Sequence, residues 1–276
     1  MSALLATLSS LLWGSADFLG GHLSKRFKAF AVTGASQAFG LLTALVMILY
    51  SRHWVAPTLH NYFLPGVAAG LLGFFGLISY YSGLSTGQMG VVAPISSLSA
   101  VIPLVYAFSR GESPRTIQTI GMVIALVGGF CASGPEIAKG LPIKPLLFGV
   151  GAALGFGSAL VFMARGSAHN PLMTMATMRF STVSICLIVA LVAKTHGGFA
   201  RSDLTTLIAI GVMDFLANYF LGVATTKGLL SIAMVLGSLF PIVTSILAFA
   251  ILKERLHPVQ YLGVLFAVVG VACISL

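Results

Sequence analysis

Ten apolar runs, separated by short segments that hold proline, glycine or charged residues, account for most of the 276-residue chain. A transmembrane helix needs about 20 apolar residues, and each run fits one such helix. Lipid offers no hydrogen-bonding partner, so each run must satisfy its own backbone as a helix. The predicted spans cover residues 2–22, 30–50, 62–84, 88–109, 116–133, 145–164, 171–193, 204–225, 229–251 and 258–275.

The pattern of the last segment, Glu254 to Ser275, occurs a second time 142 residues upstream. Identical pairs at this offset are Glu112/Glu254, Gln118/Gln260, Gly121/Gly263, Ala125/Ala267, Val127/Val269, Gly128/Gly270, Cys131/Cys273 and Ser133/Ser275. The offset is close to half the chain, which predicts two homologous five-helix repeats, residues 1–140 and 141–276. Five is an odd number, so the second repeat must be inverted. Inverted repeats are typical of secondary transporters, whose substrate site lies near the bilayer midplane.

The composition supports an all-α integral membrane protein. Hydrophobic residues make up 58% of the chain and charged residues 8%, with a mean hydropathy of +1.02. The formal charge of +9 comes from single bases spread among the loops, which indicates topology signals at a lipid surface rather than a nucleic-acid interface. Cys131, Cys186 and Cys273 lie inside apolar runs and are interpreted as packing residues, and neither a metal nor a cofactor is expected.

Several motifs resemble the drug/metabolite transporter (DMT) superfamily, EamA type: Leu12-Trp13-Gly14-Ser15, the segment Ser97 to Pro103, Ser238-Leu239-Phe240-Pro241, and the Glu-x5-Gln-x-x-Gly junctions at Glu112 and Glu254. The length and the ten-span plan resemble the bacterial amino-acid exporters. The resemblance implies a location in the bacterial cytoplasmic (inner) membrane and alternating access through a central cavity between the repeats.

An even number of spans places both termini on the same side. Loops after odd-numbered spans carry nine bases and loops after even-numbered spans carry five, which favours outside termini by the positive-inside rule. The resemblance implies cytoplasmic termini instead, and this is the orientation that we expect.

Two acids, Asp17 and Asp214, fall inside predicted spans. A charged side chain there costs roughly 2.5–3.5 kcal/mol, so such residues face a cavity or a partner. Asp214 and Asn218 are four residues apart and share a helix face. Asp214 is a candidate to hold a substrate ammonium group or to carry a coupling proton. The alternative is a polar clamp between helices.

Prolines in the fourth and ninth spans predict interrupted helices whose free carbonyls contact a polar substrate. These gating or structural candidates are Pro94, Pro103 and Pro241. The neighbouring Ser97 and Ser238 are candidate substrate ligands, and the alternative is that they permit close packing.

Three aromatic residues, Trp13, Tyr80 and Phe240, are candidate cavity residues that could stack on an apolar body or a cation. Arg179 lies well inside the seventh span and is expected to have a structural or gating role. We expect spans 1, 3, 4, 6, 8 and 9 to line the cavity and spans 5 and 10 to lie at the periphery.

An enzyme is not expected, because the six histidines fall in loops or at span ends and no His-Glu-x-x-His motif occurs. The prediction is a secondary carrier that exports small metabolites, amino acids first, and functions as a monomer or a homodimer in the lipid bilayer. The alternatives are an efflux carrier for cationic drugs or sugar-type metabolites and, in a different class, a channel or a membrane receptor.

Overall fold

The computed structural model describes residues 1–52, 54–59, 61–84, 89–133, 143–192, 197–252 and 257–276. Every regular element within these ranges is helical. The elements are α1 (Ser2–Ser24), α2 (Ala29–Ser51), α3 (Phe63–Leu84), α4 (Met89–Ser97), a 3-10 turn (Leu98–Ala100), α5 (Val101–Ser109), α6 (Thr116–Ala132), α7 (Ile143–Ser167), α8 (Pro171–Val192), α9 (Arg201–Lys227), α10 (Leu230–Gly237), α11 (Phe240–Leu252) and α12 (Pro258–Ser275). The expected boundary between the repeats, residues 134–142, lies outside the described residues.

The predicted all-α ten-span fold is confirmed. Eight segments of the described chain are long and apolar enough to cross a membrane, and two shorter apolar helices, Pro94–Ser109 and Thr116–Ala132, complete the set. Thr116–Ala132 has 17 residues, which is the lower end of the ~17–25 range for a spanning helix. The largest differences in span ends are in α7 and α9, which extend beyond the predicted apolar runs by about one helical turn.

The fourth and ninth spans are interrupted at equivalent places in the two repeats. The fourth changes to a 3-10 turn at Leu98–Ala100, and the ninth breaks between Gly237 and Phe240. Pro103 and Pro241 lie in the first turn of the helix that follows each interruption, where the missing N–H group breaks no helical hydrogen bond. Pro94 lies inside α4, before the turn.

The helices pair across the repeats rather than within them. In one bundle α1 packs on α9, α10 and α11, and α2 packs on α9; in the other, α7 packs on α3, α4 and α5, and α8 packs on α3. Each contact in one bundle has its equivalent in the other under the repeat relationship. The two bundles meet where α2 crosses α8. The fold therefore contains two pseudo-equivalent bundles that each draw on both halves of the sequence.

The fifth and tenth spans, α6 and α12, form an antiparallel pair held by small residues. A Cβ atom at Gly128 would lie 2.5 Å from the backbone nitrogen of Ala267, and one at Gly121 would lie 2.8 Å from the carbonyl oxygen of Gly270. Gly121 is the repeat equivalent of Gly263, and Gly128 is that of Gly270. Gly121 packs against Gly270 and Gly128 packs against Gly263, so the two contacts are equivalent under the repeat relationship. This arrangement confirms that the repeats are inverted.

The outer faces of this helix pair are apolar and open. Val127 is 45% exposed and Val269 is 41% exposed. A contiguous exposed apolar surface is unfavourable in water and is what a lipid environment requires.

The duplicated glutamines make the same two contacts in both repeats. The side-chain oxygen of Gln118 accepts from the backbone N–H of Arg115 at 3.1 Å, and its nitrogen donates to the carbonyl of Ile274 at 3.4 Å. Gln260 accepts from the N–H of His257 at 2.9 Å and donates to the carbonyl of Ala132 at 3.2 Å. Each glutamine thus caps the N-terminus of its own helix and satisfies a carbonyl group at the C-terminus of the other helix.

Glu112, from the other duplicated position, joins the repeats through a helix N-terminus. Its two carboxylate oxygens accept from the backbone N–H groups of Leu230 at 2.7 Å and Ser231 at 3.0 Å. The first residue before α10 is Leu229, which has no side-chain acceptor, so Glu112 supplies the cap. The equivalent residue, Glu254, lies outside the described residues.

Candidate functional site: a cavity between the two bundles

A cavity lies between the two bundles, and a few polar and charged side chains converge on it among apolar ones, as is usual for small-molecule sites. Its lining residues come from eight of the ten spans. They are Trp13, Asp17, Gln37, Gly73, Phe74, Leu77, Ser99, Phe156, Ala159, Leu160, Met163, Met178, Arg179, Thr182, Asp214, Asn218, Ser238 and Phe240. The expected spans 1, 3, 4, 6, 8 and 9 all contribute. Spans 2 and 7 contribute as well, and spans 5 and 10 do not.

The centre of the cavity wall is an ion pair between Asp214 and Arg179. Asp214 is the middle residue of α9, and Nη2 of Arg179 lies 2.9 Å from its Oδ2. The same nitrogen donates to the backbone carbonyl of Asp214 at 3.2 Å. The Arg179 side chain is 3% exposed and the Asp214 side chain 20% exposed, so the guanidinium is enclosed while the carboxylate keeps an edge on the cavity.

Three further donors complete the shell of Asp214. Nε1 of Trp13 donates to Oδ1 at 3.0 Å, Nε2 of Gln37 donates to Oδ2 at 2.8 Å, and Nδ2 of Asn218 donates to Oδ1 at 3.2 Å. The other end of the Gln37 amide accepts a hydrogen bond from Nη1 of Arg179. Four side chains from four helices therefore hold one carboxylate, in an arrangement that both charges and dipoles favour.

Glycines bring these helices close enough for the shell to form. A Cβ atom at Gly211 would lie 2.2 Å from the carbonyl oxygen of Ser36 and 3.0 Å from the backbone nitrogen of Gly40. A Cβ atom at Gly40 would lie 3.2 Å from the carbonyl oxygen of Gly211. The close crossing of α2 and α9 places Gln37 beside Asp214, one helical turn from Gly211.

Asp17 has a different environment from Asp214, although both line the cavity. It lies one turn after Trp13 on the same face of α1 and is half-buried. In the described part of the chain no side chain or backbone group forms a hydrogen bond or an ion pair with its carboxylate. Asp17 is therefore the cavity acid without a fixed counter-charge.

Six of the sequence-predicted ligand residues line the cavity: Trp13, Asp17, Asp214, Asn218, Ser238 and Phe240. The ring of Trp13 also contacts that of Phe240, with centroids 6.2 Å apart. The arginine at position 179, expected to be structural or gating, lines the cavity as the counter-ion of the central acid.

Ser97 and Tyr80 do not line the cavity. The hydroxyl of Ser97 is buried and donates to the carbonyl of Pro94 at 2.7 Å, which satisfies a carbonyl near the helix interruption. The ring of Tyr80 is buried against those of Tyr81 and Phe156, at centroid distances of 5.7 and 6.0 Å. Ser99, in the 3-10 turn, occupies the lining position that was expected for Ser97.

Gln37 is the main residue that the sequence analysis missed. An amide in an otherwise apolar span is itself a signal, because such groups need a partner in lipid. The repeat offset was a second signal, since position 37 shifted by 142 residues is Arg179.

A family model identifies the protein family of this chain. The model of the EamA-like transporter family matches residues 1–134 and again residues 143–276. The chain belongs to the EamA-like transporter family. It is accordingly a multi-pass membrane transporter of the DMT type, and the recognition of this superfamily from the sequence motifs is confirmed.

A solved structure supports the fold of this EamA-like transporter independently. This structure, described as "Crystal structure of protein", shares 16% sequence identity with this chain, and the match covers 100% of this chain and 98% of the other with a TM-score of 0.82. At that identity the likeness shows the fold alone. No curated protein sequence matches the chain.

Proposed function

We propose that this EamA-like transporter is a secondary carrier that exports small metabolites with an amino group by alternating access. The observation that supports this most is the placement of the cavity. It lies between two pseudo-equivalent bundles, and it holds a carboxylate, Asp17, with which no cation of the described residues forms an ion pair. An ammonium group is the natural partner for such a carboxylate in a lipid-enclosed site.

The polar groups of the lining fit a small, partly polar substrate. Ser99 and Ser238 lie at the interruptions of the fourth and ninth spans, and Asn218 on α9 lines the same cavity. Interrupted helices at the midplane are the usual source of substrate contacts in inverted-repeat carriers. The bacterial inner membrane and cytoplasmic termini remain part of this proposal.

The pairing of helices supports alternating access. Two bundles with equivalent internal contacts can exchange their tilts with little change in packing energy, because the pseudo-two-fold rotation that exchanges the repeats relates one end state to the other. The α6–α12 pair lies outside both bundles and does not line the cavity.

The direct test is counterflow in proteoliposomes. Vesicles loaded with an unlabelled amino acid or amine are diluted into a trace of the same labelled compound, across a panel of amino acids and amines. The expected result is a transient, saturable accumulation that depends on the internal compound. Flux that does not saturate and shows no counterflow would indicate a channel, and the absence of flux across the panel would indicate a receptor or a different cargo.

A second candidate function, the efflux of organic cations of the drug type, is favoured by one observation. The cavity lining contains no cation besides Arg179, and Arg179 is engaged by Asp214 and Gln37. A zwitterionic amino acid would bring a carboxylate for which the lining offers no free counter-charge. The two candidates therefore differ in whether the substrate carries a carboxylate.

A further inference from the structure

The charged residues of the cavity are two carboxylates and one guanidinium: Asp17, Asp214 and Arg179. Arg179 lies within ion-pair distance of Asp214 and cancels its charge, so Asp17 is the one lining carboxylate for which the described residues provide no counter-ion. A charge at this depth is unfavourable unless a partner of opposite sign neutralises it. The lining therefore favours a ligand with a positive charge.

The arrangement around Asp214 prevents its ion pair from exchanging easily with a ligand. Removal of Arg179 from the pair would leave both an enclosed guanidinium, 3% exposed, and a carboxylate unpaired. Trp13, Gln37 and Asn218 hold the same carboxylate by hydrogen bonds. Asp214 is therefore a part of the wall, and Asp17 is the group that remains for a ligand.

The lining contributed by α3 and α7 is apolar and partly aromatic. Phe74 and Leu77 come from α3, and Phe156, Leu160 and Met163 come from α7. Such a surface gains free energy from contact with an apolar body and from rings near a cation. It would be unfavourable for a second charged group of the substrate, because no hydrogen-bond donor from these five side chains could solvate it.

We propose that Asp17 determines the substrate class: a monocation with an apolar or aromatic body and no carboxylate, bound with its ammonium group at Asp17 and its body against the α3 and α7 residues named above. This proposal rests on the carrier function proposed above and decides between its two candidate cargoes. Asp17 forms no hydrogen bond or ion pair with the residues that the structure describes, so we expect neutralisation of Asp17 to affect ligand binding without loss of the fold.

Three probes share a phenylethyl body and differ in charge, so their affinities test the predicted preference for a cation. They are phenethylamine (a cation), phenylalanine (a zwitterion) and 3-phenylpropionate (an anion). The chain holds two tryptophans, and one of them, Trp13, lines the cavity. In a Trp54→Phe background, the fluorescence of Trp13 in detergent micelles reports binding directly. We expect phenethylamine to bind at least tenfold more tightly than phenylalanine, and 3-phenylpropionate to bind most weakly.

Two variants of Asp17 test whether this residue causes the preference for the cation. Asp17→Asn should reduce the affinity for phenethylamine by tenfold or more and remove the preference over phenylalanine, whereas Asp17→Glu should retain the preference. Both variants should melt within a few degrees of the parent. Equal or tighter binding of phenylalanine, or an Asp17→Asn variant with an unchanged preference, would overturn the proposal.

The counterflow assay separates this result from failure of the carrier function. Counterflow of amino acids that does not depend on Asp17 would leave the carrier proposal in place and refute the role of Asp17. The absence both of binding by all three probes and of counterflow by any amine or amino acid would refute both.

Discussion

Gln37 and Arg179 are separated by 142 residues, the repeat offset, and their side chains are joined by a hydrogen bond from Nη1 of Arg179 to Oε1 of Gln37. Two residues at equivalent positions can touch only where the axis that relates the repeats passes between them. The pseudo-two-fold axis of the fold therefore runs through the α2–α8 crossing. The pair also breaks the symmetry chemically, because one repeat supplies an amide and the other a cation, and Asp214 binds both.

The Arg179–Asp214 pair is predicted to be a stability element. Arg179→Gln leaves Asp214 without its counter-ion, and removal of one partner of a buried pair costs roughly 3–5 kcal/mol; the partial exposure of Asp214 to the cavity lowers this value. Asp214→Asn in addition should recover a large part of the loss. Unfolding midpoints in detergent for the four proteins of this double-mutant cycle give the coupling.

The control for this cycle is the second described ion pair, between Arg26 and Asp203. The nitrogen Nη1 of Arg26 lies 3.1 Å from Oδ1 of Asp203, and the Arg26 side chain is 58% exposed. The Asp203 side chain is 5% exposed, but Arg26 keeps most of its contact with water, so we expect a weaker coupling than for the Arg179–Asp214 pair, closer to the about 0–1 kcal/mol of surface ion pairs. Equal coupling in the two cycles, or purely additive losses at Arg179 and Asp214, would contradict the interpretation of the buried pair.

The glycine contact of α6 with α12 should be intolerant of a single methyl group. Gly128→Ala would place the methyl 2.5 Å from the backbone nitrogen of Ala267, and a backbone atom cannot move aside without separation of the helices. We expect a clear fall in the melting temperature of the detergent-solubilised protein.

Gly21→Ala is the matched control, because Gly21 lies in helix α1 and a Cβ there would meet no atom within 4 Å. Alanine is favoured over glycine inside a helix by about 0.5–1 kcal/mol, so this variant should be neutral or more stable. Similar melting temperatures for the two alanine variants would show that the close packing of α6 on α12 does not limit stability.

Loss of the Glu112 side chain should weaken the start of α10. Glu112→Ala leaves the N–H groups of Leu230 and Ser231 without their acceptor, and loss of a helix cap costs about 1 kcal/mol. Glu112→Gln keeps one acceptor oxygen and should lose less. Hydrogen exchange at the start of α10 measures the effect locally. Exchange in Glu112→Ala that matches the parent would contradict the cap.

Most of the fold could be predicted because hydrophobic length fixes the spans of a membrane protein. The limits of α2, α3 and α12 lie within a residue of those predicted, since the apolar runs there end at charge, proline or glycine. The exact positions of the helix interruptions were harder to predict from the sequence. Prolines indicated that the fourth and ninth spans are interrupted, but the interruption falls before Pro103 and Pro241 rather than at them, because a proline fits the first turn of a new helix.

The partners of the two intramembrane acids could not be predicted from local sequence. The sequence alone predicts Asp214 as a substrate or proton ligand, with a polar clamp between helices as the alternative. The structure adds contacts with Arg179, Trp13 and Gln37, which come from three other helices, and helix rotation decides whether such groups meet. The same rotation leaves Asp17 without a hydrogen-bond or ion-pair partner among the described residues.

The most direct test of the central claim, a cavity that opens alternately to the two sides of the membrane, is two-sided labelling of a cysteine at position 99. Ser99 lines the cavity, is 3% exposed in this state and is close in size to cysteine. In a protein without its three native cysteines, Ser99→Cys should react with a membrane-impermeant thiol reagent in both right-side-out and inside-out vesicles, and transported substrate should slow both reactions. Ser97→Cys and the lipid-facing Val127→Cys should remain unreactive. Reaction of Ser99→Cys from one side only, or equal labelling of Val127→Cys, would contradict alternating access through this cavity.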